Sequence, residues 1–137
     1  MAAVITKQPG PLVLVVDDEK LLLDLVSMIL THVGFQTLRA GSPSEALRVW
    51  EECGERIEIA LLDVVMPQIS GPDLGWRLQR EKPGLKILVM SGNATEDIHS
   101  PFKLVEGVNF LRKPFQAKAL IALMEKALQE CQAPLAR

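Results

Sequence analysis

The chain has 137 residues, of which 48% are hydrophobic and 23% are charged. This predicts one globular domain and excludes a second domain of similar size. The net charge of −2 supplies no overall basic field, so we expect no direct binding to nucleic acid. The apolar runs are far shorter than the roughly 20 residues of a membrane span, and residues 1–10 lack the pattern of a signal peptide. We therefore expect a cytoplasmic protein without membrane contact, and the two cysteines are too few for a disulfide framework or a zinc site.

Apolar strand-like runs alternate with helix-like segments along the chain, which predicts an α/β fold with a parallel sheet covered on both faces. The predicted strands are residues 12–16, 35–40, 57–62, 85–90 and 108–111. The predicted helices are residues 19–33, 43–53, 71–82, 95–107 and 117–131. The second and fifth strands carry polar residues typical of sheet edges, whereas the other three are almost wholly apolar. An open sheet in the order 2-1-3-4-5 satisfies this pattern.

The first predicted helix carries a stripe of apolar residues at every fourth position. The stripe consists of Leu21, Leu25, Ile29 and Val33, and we expect it to face the core. Gly34 follows directly, in the position of a C-terminal cap.

Capping residues and prolines indicate where the later helices begin and break. Ser42, Pro43 and Glu45 open the second helix with an N-cap, a first-turn proline and a capping box, and Ser70 caps the third. Pro101 lies inside the fourth predicted helix, where a proline costs about 3 kcal/mol. We therefore expect the fourth helix to be short or broken.

Polar side chains appear abruptly where the predicted strands end. Asp17 and Asp18 follow the first strand, Asp63 follows the third, Ser91 follows the fourth and Lys113 follows the fifth. Because the carboxyl ends of parallel strands share one edge of the sheet, where open α/β proteins bind ligands, we expect these side chains to converge.

Such a group of side chains suits phosphoryl chemistry. Crowded carboxylates repel one another, and a hard divalent cation such as Mg²⁺ relieves that repulsion. A metal ion and Lys113 together would neutralise an incoming phosphoryl group and leave Asp63 as the nucleophile, while Ser91 could donate a hydrogen bond to a phosphoryl oxygen. Any one of these aspartates alone is better explained as a helix cap or a solvated turn residue, so the interpretation depends on the whole set.

Five motifs, in this order and spacing, resemble the receiver domain of response regulators in two-component signalling. They are residues 15–19 (VVDDE), 61–67 (LLDVVMP), 70–74 (SGPDL), 89–92 (VMSG) and 110–115 (FLRKPF). The resemblance covers residues 12–128 and implies a flavodoxin-like, three-layer α/β/α fold. We accordingly predict a receiver domain over residues 12–131, with flexible tails at 1–11 and 132–137.

The resemblance also implies roles for the residues at the sheet edge. Asp63 is similar to the aspartate that accepts a phosphoryl group from a kinase histidine. Asp18, Asp63 and the main-chain carbonyl of Val65 resemble the family's Mg²⁺ ligands, with Asp17 acting on the metal through water. Lys113 would pair with the phosphoryl group.

A switch is implied by two further positions. Ser91 and Phe110 are similar to a pair in which the hydroxyl moves toward the phosphoryl group and the aromatic ring turns inward behind it. Lys113–Pro114 resembles the family's cis peptide. The output would be a population shift of the face built from the fourth helix, the fifth strand and the fifth helix.

The implied partners are those of a phosphorelay. They are a sensor histidine kinase or a histidine phosphotransfer protein upstream, and a separate output protein or a domain of a parent chain downstream. The resemblance implies no enzyme activity beyond self-phosphorylation and autodephosphorylation. It also implies that the chain is either a monomer or a dimer that forms on phosphorylation. The sequence around the fourth predicted helix, with residues 90–92 before it and 106–108 after it, is more similar to the receivers of hybrid sensor kinases than to other receivers.

Three alternative functions fit the sequence less well. A Mg²⁺-dependent phosphohydrolase with an aspartate nucleophile needs a second acid two residues later, where this chain has Val65. A flavin or nucleotide site needs a phosphate-binding loop after the first strand, where the acidic residues 17–19 would repel phosphate. A receiver fold used only for protein contacts predicts loss of the acidic cluster or of the lysine, and both are present.

Overall fold

The computed structural model describes residues 10–132 of the chain, in which strands and helices alternate as predicted except for the fourth predicted helix. The five strands are β1 (Leu12–Val16), β2 (Gln36–Ala40), β3 (Ile57–Asp63), β4 (Lys86–Ser91) and β5 (Phe110–Arg112). The four α-helices are α1 (Lys20–His32), α2 (Pro43–Cys53), α3 (Gly71–Glu81) and α4 (Ala117–Gln132). None of the helices in this part of the chain is long and apolar enough to cross a membrane. The predicted flexible tails, 1–11 and 132–137, lie outside the described residues apart from residues 10, 11 and 132.

The strands form one parallel sheet in the order β2-β1-β3-β4-β5, which confirms the predicted order. All five residues of β1 are buried, whereas the edge strand β2 exposes Gln36 and Arg39. The polarity of each strand therefore indicated its place in the sheet correctly, because a central strand has both faces covered.

Side chains from the two faces of the sheet form separate cores. In β1, Leu12, Leu14 and Val16 pack with buried residues of α2 and α3, while Val13 and Val15 pack with those of α1 and α4. Each fully buried Leu or Val contributes about 1.5–3 kcal/mol to folding. The arrangement confirms a three-layer, flavodoxin-like α/β/α fold.

The predicted caps of α2 and α3 are confirmed. Ser42 Oγ accepts the Glu45 backbone N–H at 3.1 Å, and Ser70 Oγ accepts that of Asp73 at 3.2 Å. These bonds satisfy helix N–H groups that have no partner within the helix, and thereby fix where the helices begin.

The predicted core stripe of α1 is wrong for three of its four residues, since only Ile29 packs against the core. Leu21 is 80% exposed, Leu25 is 45% exposed and Val33 is 40% exposed, and the helix buries a different set instead. The buried residues of α1 are Leu23, Val26, Ser27 and Leu30. Because α1 is apolar around most of its circumference, its periodicity is compatible with either face, and packing against the sheet selects the second set.

The fourth predicted helix, expected to be short or broken because of Pro101, is reduced to a 3-10 turn at Thr95–Asp97 between β4 and β5, so the disruption is confirmed and the span 95–107 is wrong. Pro101 cannot donate a helical hydrogen bond, and proline disfavours helical backbone at the preceding Ser100. Ser100 Oγ instead accepts the Phe102 N–H at 3.1 Å, and Asn109 Oδ1 accepts that of Val105 at 2.7 Å. The predicted output face therefore lacks its helix, and an irregular segment at residues 98–109 takes that place.

Candidate functional site

The predicted site residues lie at the carboxyl edge of the central strands. Asp17 follows β1, Asp63 ends β3 and Ser91 ends β4, and all three are buried, with 1%, 7% and 2% of their surfaces exposed. Asp18 lies beside them and is exposed. The structure thus brings together side chains that are up to 96 positions apart in sequence, counted from Asp17 to Lys113.

Lys113 connects two of the carboxylates. Its Nζ donates to Asp63 Oδ1 at 2.7 Å and to Asp17 Oδ2 at 3.3 Å, and its side chain is only 20% exposed. The Lys113 backbone N–H donates to the Ser91 carbonyl at 2.8 Å, which fixes the lysine to the end of β4. The following Lys113–Pro114 peptide is cis. Charge-assisted hydrogen bonds of this kind are among the strongest in proteins.

The loop after β3 holds Asp63 in place through its backbone. The Val64 N–H donates to the Met90 carbonyl at 2.9 Å, and the Gly71 N–H donates to the Val64 carbonyl at 3.0 Å. A Cβ atom on Gly71 would lie 2.1 Å from the Asp63 carbonyl oxygen, so only glycine allows α3 to begin this close to the site. Val65 lies in the same loop, and its side chain is 65% exposed.

The electrostatic environment shifts the pKa of both paired groups. Burial raises the pKa of the Asp63 carboxyl, and the negative charges of Asp17 and Asp18 raise it further, against the lowering effect of Lys113. Burial by itself would lower the pKa of Lys113, but its hydrogen bond to Asp63 and the charges of Asp63 and Asp17 outweigh this, so its pKa is raised. The site therefore holds an ammonium among carboxylates that repel one another.

Three carboxylates at this edge are arranged so that a single cation could bind them. Asp17, Asp18 and Asp63 each offer an oxygen atom, and these atoms all lie within 4.8 Å of one another. Oxygen ligands are those that Mg²⁺ prefers, and a divalent cation would offset the repulsion that raises the pKa of Asp63. The donor set therefore fits Mg²⁺.

Ser91 and Phe110 lie on the two adjacent strands β4 and β5. Ser91 Oγ accepts the Asn93 backbone N–H at 3.0 Å, and Phe110 is fully buried in the core on the α2–α3 side of the sheet. Asn93 is not among the site residues predicted from the sequence, although a serine hydroxyl that accepts the backbone N–H of the residue two positions later is a common turn pattern. The Phe110 ring thus already lies inside the core.

Comparison with known proteins identifies the family. The family model described as response regulator receiver domain matches residues 13–125, and the chain belongs to that family. The chain is 31% identical over 117 residues to the probable transcriptional regulatory protein TcrX of Mycobacterium tuberculosis. It is 34% identical over 122 residues to the sensor kinase CckA of Brucella abortus. These alignments cover 85% and 86% of this chain, but only 49% and 12% of the relatives' own lengths.

Solved structures agree with this assignment. A crystal structure of the receiver domain of the hybrid histidine kinase CckA is 30% identical to this chain, with a TM-score of 0.72. The alignment covers 86% of this chain and 99% of that one. A receiver domain protein from Clostridium thermocellum gives a TM-score of 0.71 at 25% identity, and covers 88% and 96% of the two chains. Receiver domains of this family bind Mg²⁺ at an acidic cluster, for which Asp17, Asp18 and Asp63 are available here.

Proposed function

We propose that Asp63 of this receiver accepts a phosphoryl group from a phosphohistidine. The observation that carries the proposal is the hydrogen bond of 2.7 Å between Lys113 Nζ and Asp63 Oδ1, in a buried site that also contains Asp17. A carboxylate next to a fixed ammonium can bind a phosphoryl group whose new negative charge the ammonium partly neutralises. An aspartate with a purely structural role would need neither the lysine nor the other two carboxylates.

The proposed transfer replaces the P–N bond of the donor with a P–O bond on Asp63. An Asp63 carboxylate oxygen attacks phosphorus and forms a P–O bond, while the P–N bond to the donor imidazole breaks. The donor ring, which already carries a proton on its other nitrogen, keeps the electron pair and leaves as neutral imidazole. Lys113 moves its hydrogen bond toward a phosphoryl oxygen. Mg²⁺, held by Asp18, Asp63 and the carbonyl of Val65 with Asp17 acting through water, would supply further positive charge for the phosphoryl oxygens.

Ser91 and Phe110 are the proposed route from the site to the surface. The Ser91 hydroxyl would leave the Asn93 N–H and donate to a phosphoryl oxygen, and the strand pairing between β4 and β5 would carry this shift to Phe110. The face that changes then consists of β5, α4 and residues 98–109, since no α-helix lies between β4 and β5. The chain would act as a signalling domain whose only chemistry is its own phosphorylation and dephosphorylation.

The exposed apolar stripe of α1 is the proposed docking surface for the phosphoryl donor. Leu21, Leu25 and Met28 are 80%, 45% and 63% exposed, and their spacing places them on one side of the helix. Leu21 lies close behind the acidic residues 17–19, so a donor that reaches Asp63 would also contact α1. A sensor histidine kinase or a histidine phosphotransfer protein with an apolar helix face would fit this surface.

The remaining partners are proposed from the same evidence. The output would come from a separate protein or from a domain of a parent chain, since the relatives include both regulators and a sensor kinase. The net charge of −2 argues against contact with nucleic acid, and we place the chain in the cytoplasm, away from the membrane.

Treatment with acetyl phosphate and Mg²⁺ tests the proposal. We expect the intact mass to increase by one phosphoryl group, and expect no increase for Asp63→Asn or in the presence of a metal chelator. Asp73→Asn is the matched control, because Asp73 is an exposed aspartate on α3 outside the site. Phosphorylation of Asp63→Asn to the wild-type extent would refute the assignment.

A further inference from the structure

The two tryptophans of the chain lie on neighbouring helices and differ in burial. Trp50 on α2 is 7% exposed, and its indole N–H donates to Glu81 Oε1 on α3 at 2.9 Å. Trp76 on α3 is 45% exposed. A large aromatic surface left in water is costly, and tryptophan is enriched among the residues that dominate binding energy at interfaces. Trp76 is therefore a candidate contact residue on the outer side of α3.

Charges of opposite sign lie on the outer sides of α2 and α3. The acidic group is formed by Glu51 and Glu52 near the end of α2 and by Glu55 in the following turn, and the basic group is formed by Arg77 and Arg80 on α3. All five residues are exposed, and within residues 10–132 none of them forms an ion pair. The same surfaces also expose Arg48 and Arg56 beside the acidic group, and Asp73 and Glu81 beside the basic group, so Arg77 and Arg80 form a local basic pair and not a net positive excess on α3.

The two helices that carry the charged groups are tied together near their C-terminal ends. Lys82, just after α3, donates through Nζ to the carbonyls of Gly54 at 3.4 Å and Glu55 at 2.9 Å, and also to that of Ile57. This lysine and the Trp50–Glu81 hydrogen bond fix the ends of the two helices on either side of a cleft of about 660 Å³. The ends of α2 and α3 are therefore held together, while within residues 10–132 the arginines and glutamates of one subunit form no ion pair with one another.

We propose that this surface, called here the α2–α3 face (Glu51, Glu52, Glu55, Trp76, Arg77 and Arg80), is the contact surface of a two-fold symmetric dimer of this chain. In such a dimer the acidic group of each subunit meets the basic group of the other, so both groups are paired at once and Trp76 is covered. A partner with a single sign of charge would leave one of the two groups facing like charge. A second copy is thus the occupant that the charges favour.

The proposed dimer does not depend on the proposed phosphoryl transfer. Lys82 binds the carbonyl of Ile57, the first residue of β3, so the ends of α2 and α3 lie at the opposite edge of the sheet from Asp63. Asp63 stays accessible in the dimer. Unlike the dimer expected from sequence, which forms on phosphorylation, this one forms without it.

Sedimentation equilibrium of the wild-type chain and two charge-reversed variants tests the proposal. Over about 10 µM to 1 mM protein, we expect the wild type to associate to twice its mass of 15.1 kDa, and more weakly at high salt. R77E/R80E and E51K/E52K should each weaken association at least about tenfold. An equimolar mixture of the two variants should form a dimer. The reversed groups of the two variants have opposite charges and can pair, and so can their unchanged groups.

Charge reversal on the other side of the sheet provides the control. K118E/K126E reverses two exposed lysines on α4, on the other side of the sheet, and should leave the dimer unchanged. A wild-type chain that stays monomeric at 1 mM would overturn the proposal, as would unaltered dimers of the two charge-reversed variants. Failure of the mixture to form a dimer, or its growth into longer chains, would overturn the two-fold arrangement. Labelling of each variant by acetyl phosphate tests the proposed function separately, because that reaction should be unaffected.

Discussion

Replacing Lys113 with methionine removes the ammonium that lies between two buried carboxylates while keeping most of the length of the side chain. Lys113 Nζ lies 2.7 Å from Asp63 Oδ1 and 3.3 Å from Asp17 Oδ2, and the Asp17 and Asp63 side chains are 1% and 9% exposed. Removing one partner of a buried ion pair costs about 3–5 kcal/mol, because the other charge stays buried and uncompensated. Lys113 is partly exposed and Asp63 can take up a proton, so we expect a loss of about 2–4 kcal/mol of unfolding free energy at pH 7 without metal.

Urea unfolding followed by far-UV circular dichroism measures this loss. With a typical dependence of about 1–3 kcal/mol per molar urea, the midpoint should fall by about 0.7–4 M. Lys113→Met/Asp63→Asn should lose much less than Lys113→Met, because the second change removes the carboxylate that was left without a partner.

Arg39→Met is the matched control for burial. The Arg39–Asp24 pair has the same length of 2.7 Å, but its side chains are 53% and 40% exposed. An exposed pair contributes about 0–1 kcal/mol, so this variant should unfold close to the wild type. Equal effects of Lys113→Met and Arg39→Met would refute the argument that burial makes the Lys113 pair strong.

Three further predictions concern metal, pH and the donor. Mg²⁺ at about 100 times its dissociation constant should stabilise the wild type by about 2.7 kcal/mol in thermal unfolding, and Asp18→Asn should lose most of that gain. Without metal, the free energy of unfolding should fall as the pH rises above 3.8, the ordinary pKa of Asp63. The raised pKa of Asp63 means that the folded chain binds more protons than the unfolded chain in this range. Asp63→Asn should make the free energy of unfolding, measured by urea titration, depend less steeply on pH. Leu25→Glu/Met28→Glu should slow transfer from a phosphorylated histidine kinase at least about tenfold, without changing labelling by acetyl phosphate.

Each of these three predictions can fail clearly. Equal Mg²⁺ stabilisation of the wild type and Asp18→Asn would exclude Asp18 as a ligand. A metal-free stability that rises through the same pH range and does not respond to Asp63→Asn would contradict the electrostatic account of the site. Normal transfer from the kinase to Leu25→Glu/Met28→Glu would place the donor elsewhere than on α1.

The order of the strands and the position of the site followed from the sequence because each depends on a simple constraint. A strand covered on both faces must be apolar along its whole length, and the carboxyl ends of parallel strands must meet at one edge. Asp17, Asp63 and Ser91 are consequently buried together, as expected for side chains at the ends of central strands. The caps at Ser42 and Ser70 were equally predictable, since they depend on local hydrogen bonds alone.

The errors arose where local pattern leaves several choices open. In α1, the stripe containing Leu21 and Leu25 and the stripe containing Val26 and Leu30 are both apolar, and only packing on the sheet decides between them. Between β4 and β5, the break expected at Pro101 extends further than predicted, and beyond the 3-10 turn the side-chain bonds of Ser100 and Asn109 replace the helix. The first error revealed an exposed apolar surface that the sequence had suggested was core. The second changed the composition of the predicted output face.

The most direct test of the central claim is to locate the phosphoryl group on the chain. After treatment with acetyl phosphate and Mg²⁺, borohydride reduces an aspartyl phosphate to homoserine, which peptide mass spectrometry can assign to one position. The account predicts homoserine at position 63 only, dependent on Mg²⁺ and absent from Asp63→Asn. Homoserine at position 17 or 18, or no homoserine in a chain that has gained the phosphoryl mass, would contradict it.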